Sequence, residues 1–504
     1  MAWVSNQFSS ISGWVSLFVF NIIGALILAG GWKLLAIQEQ LPGWLLRLTI
    51  GAALIRLLFG MVWITVLPVY GYNSPSEQKG YVMSDAFKRD AAAWKLAQSQ
   101  KPLSSAFGQY RKADQYGGLL WISAALYRSI GGDQHYPLEM VTITAAFSAL
   151  SILLAWGFTR RAWDDKIAWG TAWVLALYPE TVLLGSTQMR EAFLIPLTMA
   201  AFYGLARYHH QHTRSGAAWI LGSLIFILPF SPPTAVLVLG GLLITGLVWE
   251  GSWASRLKHK PLFWVALGAI AVLILIGSFL ALERLAPRTF QNPLELLGWW
   301  FNKSAQWQAH LTERASGWVQ KIFRSTPDWT HTPLLLAYGV LQPFLPAAIA
   351  DFSGTLIWRL IALWRAIGWA IMLPLLVYAP IRAFNHKYKD RLAMGLSLVV
   401  WLSILITAFR AGGDPWDNVR YRATFAGLQV ALAVWAWIGQ RRTGDPWLRW
   451  ALILIISILL WFIPWYLLRY VYFPWPIGDP FRTFGLGLTT AFLLIILDWA
   501  SKKK

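Results

Sequence analysis

Long apolar runs recur from one end of this chain to the other, and they constrain its fold more than any other feature. A helix needs about 20 apolar residues to cross the hydrocarbon layer of a bilayer. About thirteen segments meet that criterion: 12–37, 45–69, four or five between 137 and 249, 262–282, 353–380, 392–409, 422–439, 449–470 and 483–499. Pro229, Pro232 and Pro233 break the run in the middle of the third group. Only 13% of the 504 residues are charged, about half of what a soluble domain carries. The expected fold is an all-α polytopic membrane protein, with residues 1–504 forming a single integral membrane domain. No internal repeat is visible, and no Gly/Ser linker sets a soluble domain apart.

Other classes fall away on composition. Cysteine is absent, which removes disulfides, thiolate nucleophiles and cysteine metal sites. The net charge of +20 is not a nucleic-acid signal, because the basic residues sit in short clusters between apolar runs. Arg160, Arg161 and Lys166 form one cluster; Arg256, Lys258 and Lys260 another; Arg382, Lys387, Lys389 and Arg391 a third. Arg441, Arg442 and Arg449 follow, then the Lys502–Lys504 tail. With about thirteen spans these clusters share one face, which basic short loops assign to the cytoplasm. Loops 70–136, 283–352 and 410–421 then lie together outside. The N-terminus has no basic n-region and no small-residue cleavage site, so no removable signal peptide is expected. No P-loop, dinucleotide fingerprint or serine elbow appears.

Two outer loops are long enough to carry structure. In 70–136, Phe87, Ala91 and Trp94 share one helical face, and Pro102 limits that helix. Segment 118–130 is apolar but too short to span, which suits an interfacial helix. Loop 283–336 sets Trp299, Trp300, Trp307, Trp318 and Trp329 among polar residues, as amphipathic helices resting on a membrane would. Many of the 33 Trp residues fall near span ends, where such rings favour the headgroup layer.

Three places could carry chemistry. The first is Ser84-Asp85-Ala-Phe-Lys-Arg89-Asp90-Ala-Ala-Ala93-Trp-Lys-Leu96. A carboxylate here can take a proton from a hydroxyl held within about 3 Å, or Asp85 can simply cap the helix. Asp90 lies five residues on, roughly 140° around a continuous helix, as a second site acid or a surface acid. The second place runs from Tyr178-Pro179-Glu180 to Gln188-Met189-Arg190-Glu191, a tight outer turn. Ionisable groups at membrane depth are functional hypotheses by default; Glu191 at a helix N-terminus and a snorkelling Arg190 are the alternative. The third is the short loop from Arg410 through Gly412, Gly413, Asp414 and Asp417 to Arg420-Tyr421-Arg422. An arginine pair there can meet a phosphate with bidentate hydrogen bonds, or Arg420 can pair with Asp417 at i, i+3. His209, His210 and His212 read as a solvated loop rather than a metal site.

The first segment fits D-x-x-x-[YR]-D-x-x-A-x-x-L through Asp85, Arg89, Asp90, Ala93 and Leu96. In this it resembles the first outer loop of the GT-C class of membrane glycosyltransferases. Its layout is similar to protein O-mannosyltransferases and lipid A aminoarabinose transferases. An acid in the second outer loop (Glu191) and an Arg-Tyr in a late outer loop (Arg420-Tyr421) extend the resemblance over roughly residues 45–440. Arg89 departs from it, an aromatic being commoner there.

The resemblance implies a glycosyltransferase that moves a sugar from a polyprenyl-phosphate donor to an acceptor at the outer face of the plasma membrane. Asp85 would be the base. Asp90 and Glu191 would support it, or with Asp85 hold a divalent Mg or Mn ion. Arg190, Arg420 and Arg422 would neutralise the donor phosphate. The partners would be the lipid-linked donor, membrane lipid and a glycan, lipid or protein acceptor. Two rivals remain: a polysaccharide polymerase or ligase, and a lipid or oligosaccharide flippase.

Overall fold

The computed structural model describes residues 11–131, 134–211, 214–250, 261–286, 292, 294–296, 298–300, 326–412, 414 and 416–501. Helices, turns and irregular loops account for these, with no strand among the described residues. The helices run α1 Ile11–Ala36, α2 Gly43–Tyr70, α3 Ser84–Ala97, α4 Gly118–Ile130, α5 Pro137–Ala162, α6 Asp165–Leu177 and α7 Pro179–Gly185. They continue as α8 Glu191–Gln211, α9 Arg214–Ile227, α10 Pro232–Glu250, α11 Pro261–Leu285, α12 Asp328–Leu341 and α13 Leu345–Ala350. The last six are α14 Leu356–Phe384, α15 Arg391–Ala411, α16 Asp417–Arg422, α17 Ala426–Thr443, α18 Trp447–Val471 and α19 Pro480–Ser501.

Nine helical segments among the described residues are long and apolar enough to cross a membrane, or ten if α6 and α7 count as one span bent by 54°. The chain is an integral, multi-pass membrane protein. This count covers the described residues alone, and α11 is not among the nine. At 14 residues α9 is too short to cross the hydrocarbon layer. Helix α8 ends in Arg207, Tyr208 and three further polar residues. Much of the Trp-rich loop 283–336, including Trp307 and Trp318, lies outside the described residues, as do Arg256, Lys258, Lys260, His212 and the Lys502–Lys504 tail.

Helix α5 is the centre of the bundle: 89% of its most apolar window is buried, against 22% for α1 and α18 and 17% for α19. Small contact residues let backbones approach closely without a hydrophobic driving force between spans. A Cβ on Gly31 of α1 would lie 2.4 Å from Leu150, and one on Gly60 of α2 would lie 2.5 Å from Val141. Both helices therefore seat directly on α5.

Polar contacts sort the loops into two ends. At one end Arg161 pairs with Glu39, Arg442 with Asp164 at 2.7 Å, Arg382 with Asp445 at 3.1 Å, and Trp163 Nε1 donates to Asp390 at 2.8 Å. Described basic segments that the sequence places on the cytoplasmic face thus meet one another. At the other end Trp358 Nε1 donates to Glu77 at 2.6 Å, and Asn418 Nδ2 to the Gly339 carbonyl at 2.7 Å. The 118–130 segment is helix α4, and its Gly118 N–H donates to the Pro229 carbonyl at 3.0 Å. Between the ends, the break before Pro179 interrupts the α6 ladder, and Thr181 Oγ1 lies 2.8 Å from the carbonyls of both Leu175 and Tyr178. That hydroxyl satisfies backbone that the bend leaves open.

Candidate active site

Helix α3 carries both loop aspartates and presents them to different surroundings. Its buried face consists of Ala86, Arg89, Asp90, Ala93, Leu96 and Ala97. Asp90, Ala93 and Leu96 of the sequence pattern are therefore packing positions, while Ala91 of the expected stripe is exposed. Asp90 is 1% exposed and fully engaged. Tyr81 and Gln188 donate to its Oδ2 at 2.5 and 2.9 Å, His135 Nε2 lies 3.0 Å from the same oxygen, and Tyr127 donates to Oδ1 at 2.7 Å. A carboxylate offers about four acceptor positions, so this one has little left for a substrate.

Arg89 fastens the same helix to the second outer turn. Its Nη1 donates to the Gln188 carbonyl at 3.2 Å, and its Nε lies 3.5 Å from Asp114. Asp114 in turn accepts from the Leu120 and Tyr116 N–H groups at 3.1 and 3.4 Å. Gln188 is thus gripped by both its side chain and its carbonyl, which fixes the residues that follow it, Met189, Arg190 and Glu191.

Asp85 faces the other way. The N-cap position of α3 belongs to Met83, and Asp85 sits in the first turn with its side chain 47% exposed. Its Oδ2 accepts from Arg420 Nη1 at 2.9 Å. Arg420 also lies 3.1 Å from Asp417 and 3.5 Å from Glu191 Oε1, so one guanidinium joins three carboxylates. Glu191 is 3.6 Å from Arg190, and its Oε2 is buried with no hydrogen-bond partner. Arg190 lies over the Tyr116 ring at 5.3 Å. Tyr421 takes Arg420 at 4.9 Å and Arg410 at 4.6 Å from its ring centre. Partial burial raises the Asp85 pKa, but Arg420, by charge and hydrogen bond, and then Arg89 and Arg190 lower it below the ordinary 3.8.

The structure brings Asp85, Arg190, Glu191 and Arg420 together and leaves Asp90 and Arg422 apart from them. Arg422, two residues past Arg420, is turned about 200° away on the helix. It lies over the Trp369 ring at 3.4 Å and donates to the Gln342 carbonyl at 2.7 Å. Glu180 pairs with Arg365 at 2.6 Å, both 3% exposed, and Arg365 also covers the Trp416 ring at 4.1 Å. Arg365 carried a legible signal, a cation inside an apolar run. Tyr116 and His135 had no signal of comparable strength.

No group of three His, Cys, Asp or Glu that could hold an ion occurs among the described residues. Four side chains surround Asp90, and a guanidinium sits between Asp85 and Glu191.

No protein-family model matches the sequence, and no curated protein matches it either. Among solved structures the chain is similar to the oligosaccharyltransferase of Archaeoglobus fulgidus. Against its apo form the TM-score is 0.43 at 15% identity, covering 89% of this chain and 56% of that one. Against the complex with an inhibitory peptide and a dolichol-phosphate the values are 0.41, 15%, 89% and 56%. The chain thus spans little more than half the length of that enzyme. These are distant likenesses of helix arrangement.

Proposed function

We propose that this protein is a membrane glycosyltransferase that takes a sugar from a polyprenyl-phosphate donor at the outer face of the plasma membrane. One observation carries the reading: Arg420 joins the half-exposed Asp85 to Glu191 beside a second arginine, Arg190. A base and a pair of fixed cations are what transfer from a sugar phosphate requires.

The acceptor hydroxyl attacks the anomeric carbon as its proton passes to Asp85. The bond from that carbon to the phosphate oxygen breaks, and the electron pair leaves with the polyprenyl phosphate. Arg190 and Arg420 neutralise the charge that develops there, and Arg410 adds a third cation across Tyr421. A phosphate arriving at Arg420 competes with Asp85 for the same guanidinium. Donor binding therefore releases Asp85 and makes it more basic, so the base is armed only when there is a leaving group to work on. Glu191 holds Arg190 and Arg420 in place, and Asp90 acts at one remove by clamping α3. Arg422 contributes to packing in this scheme.

The test is sugar transfer by the purified protein in lipid, with a panel of polyprenyl-phosphate sugars and Asp85→Asn as the paired control. Transfer that disappears in a folded Asp85→Asn protein supports the reading. Full activity in the variant removes Asp85 from the chemistry, and no transfer from any donor removes the enzyme.

A further inference from the structure

Segment 70–131 carries eight Lys and Arg against four Asp and Glu, and all four acids are engaged inside the protein. Glu77 accepts from the Tyr72 and Ser74 N–H groups at 3.0 Å, from Ser74 Oγ at 2.8 Å and from Trp358. Asp90 has its four partners, and Asp114 holds two N–H groups beside Arg89. Asp85 pairs with Arg420. The lysines are used differently. Lys79, Lys88, Lys95 and Lys112 are exposed, and none forms an ion pair with a described residue.

Helix α3 sets two of these lysines in line. The exposed residues of the helix and its C-cap are Ser84, Lys88, Ala91, Lys95 and Gln98. Steps of three and four residues put them on one continuous stripe, opposite the buried face that carries Arg89 and Asp90. Lys88 and Lys95 stand about 10 Å apart along the axis, with small Ala91 between them. Lys88 is one turn from Asp85, so the stripe begins at the candidate base. At the far end Arg128 donates to the carbonyls of Leu96, Ser99 and Lys101 at 2.7, 3.1 and 2.9 Å. A cation there offsets the negative end of the helix dipole, and the stripe stays positive along its whole length.

Two occupants do not suit this surface. A helix resting on a bilayer turns large apolar residues to it, and alanine is the largest apolar residue on the stripe; α4, by contrast, leaves Trp121 41% exposed. Protein partners dock through aromatic or aliphatic anchors seated in pockets, and the stripe has none. An extended, hydrophilic polyanion suits it: its charges meet the lysines and its hydroxyls meet Ser84 and Gln98. We infer that the exposed stripe of α3 binds an acidic glycan, a chain bearing carboxylate or phosphate groups, and leads it to Asp85 as the acceptor. The role as acceptor rests on the proposed function; the binding of the polyanion does not.

Lys88→Gln with Lys95→Gln removes both charges from exposed positions, and Lys88→Arg with Lys95→Arg restores them. With the protein in phosphatidylcholine nanodiscs, a galacturonic-acid oligomer should bind the parent and weaken as salt rises, while its methyl ester should not bind. The glutamine pair should lower the affinity about tenfold, and the arginine pair should keep it. Equal binding of oligomer and ester, or of parent and glutamine pair, overturns the inference. The chain has no cysteine, so a fluorophore on Ala91→Cys reports the stripe alone. Quenching by a lipid-borne nitroxide rather than by aqueous iodide also overturns the inference, by laying the stripe on the bilayer. In the transfer assay the oligomer should inhibit the parent more than the glutamine pair without raising KM for the donor. Binding with no effect on transfer overturns the acceptor role. Should the parent transfer no sugar at all, the enzyme reading fails, and the binding arm still decides the stripe.

Discussion

Arg420 reaches across 335 residues of sequence to donate a 2.9 Å hydrogen bond to Asp85. The contact ties α3 to α16, and places the most exposed acid of the site against its most engaged cation. Replacing Arg420 should therefore alter two properties together. Arg420→Gln should raise KM for the donor, and it should also shift the acid limb of the pH–activity profile upward, because Asp85 loses the partner that keeps its pKa low. The sign follows from the depressed pKa. The stabilisation that Asp85 gains from its cations is fully present above the unfolded-state value and lost as pH falls through the lower folded value. An acid limb that stays put in Arg420→Gln would show that Asp85 is not the titrating base.

Asp85→Asn keeps the shape of the side chain and removes its basicity. A positioned base contributes about 10²–10⁴ in rate, and turnover should fall by that order while the thermal midpoint in lipid changes little. A large drop in the midpoint would instead mark Asp85 as a structural residue.

Asp90 should behave in the opposite way. Asp90→Ala leaves Tyr81, Tyr127 and Gln188 without their buried acceptor, each at a cost of about 1–3 kcal/mol. The thermal midpoint should fall clearly, and any activity that remains should show an unchanged pH profile. Normal stability with lost turnover would move Asp90 into the chemistry.

The Glu180–Arg365 pair offers a test of the bundle away from the site. Both partners are 3% exposed. Removing one member of such a pair costs about 3–5 kcal/mol, whereas replacing both with apolar residues can be neutral. Unfolding of Arg365→Met, Glu180→Met and the double variant should therefore be non-additive, with the double variant the most stable of the three.

Arg420 and Arg422 can be separated by the same substitution. Lysine keeps charge but loses the planar fork. Arg422→Lys should lower stability through lost contact with Trp369 and leave KM alone, while Arg420→Lys should raise KM. Equal effects on donor KM would restore Arg422 to the phosphate site.

Much of the fold was legible because apolar runs and prolines act locally. The break at Pro229–Pro233 separates α9 from α10 as read, and Pro179 marks the bend between α6 and α7. The span count was harder, because a run such as 214–227 is apolar enough and merely too short. For the site, an acid in a polar loop beside the spans pointed to Asp85, ionisable groups near membrane depth to Arg190 and Glu191, and an arginine pair in a short loop to Arg420. Direction was the missing information. Asp90 and Arg422 share a helix and a neighbourhood with residues that meet, yet the helical turn sends each to other partners. Nothing local foretells that Tyr81, Tyr127, His135 and Gln188, from four separate segments, converge on Asp90.

That convergence has a kinetic consequence. With Asp90 clamped from four directions and Arg89 holding the neighbouring turn, the platform under Asp85 is preset and needs no rearrangement before reaction. On the proposed function, what remains variable in the cycle, besides the Asp85–Arg420 contact, is traffic: a spent lipid sliding out of the bundle's flank and a loaded one sliding in. Turnover should then follow the fluidity of the surrounding bilayer, so the membrane itself becomes the throttle.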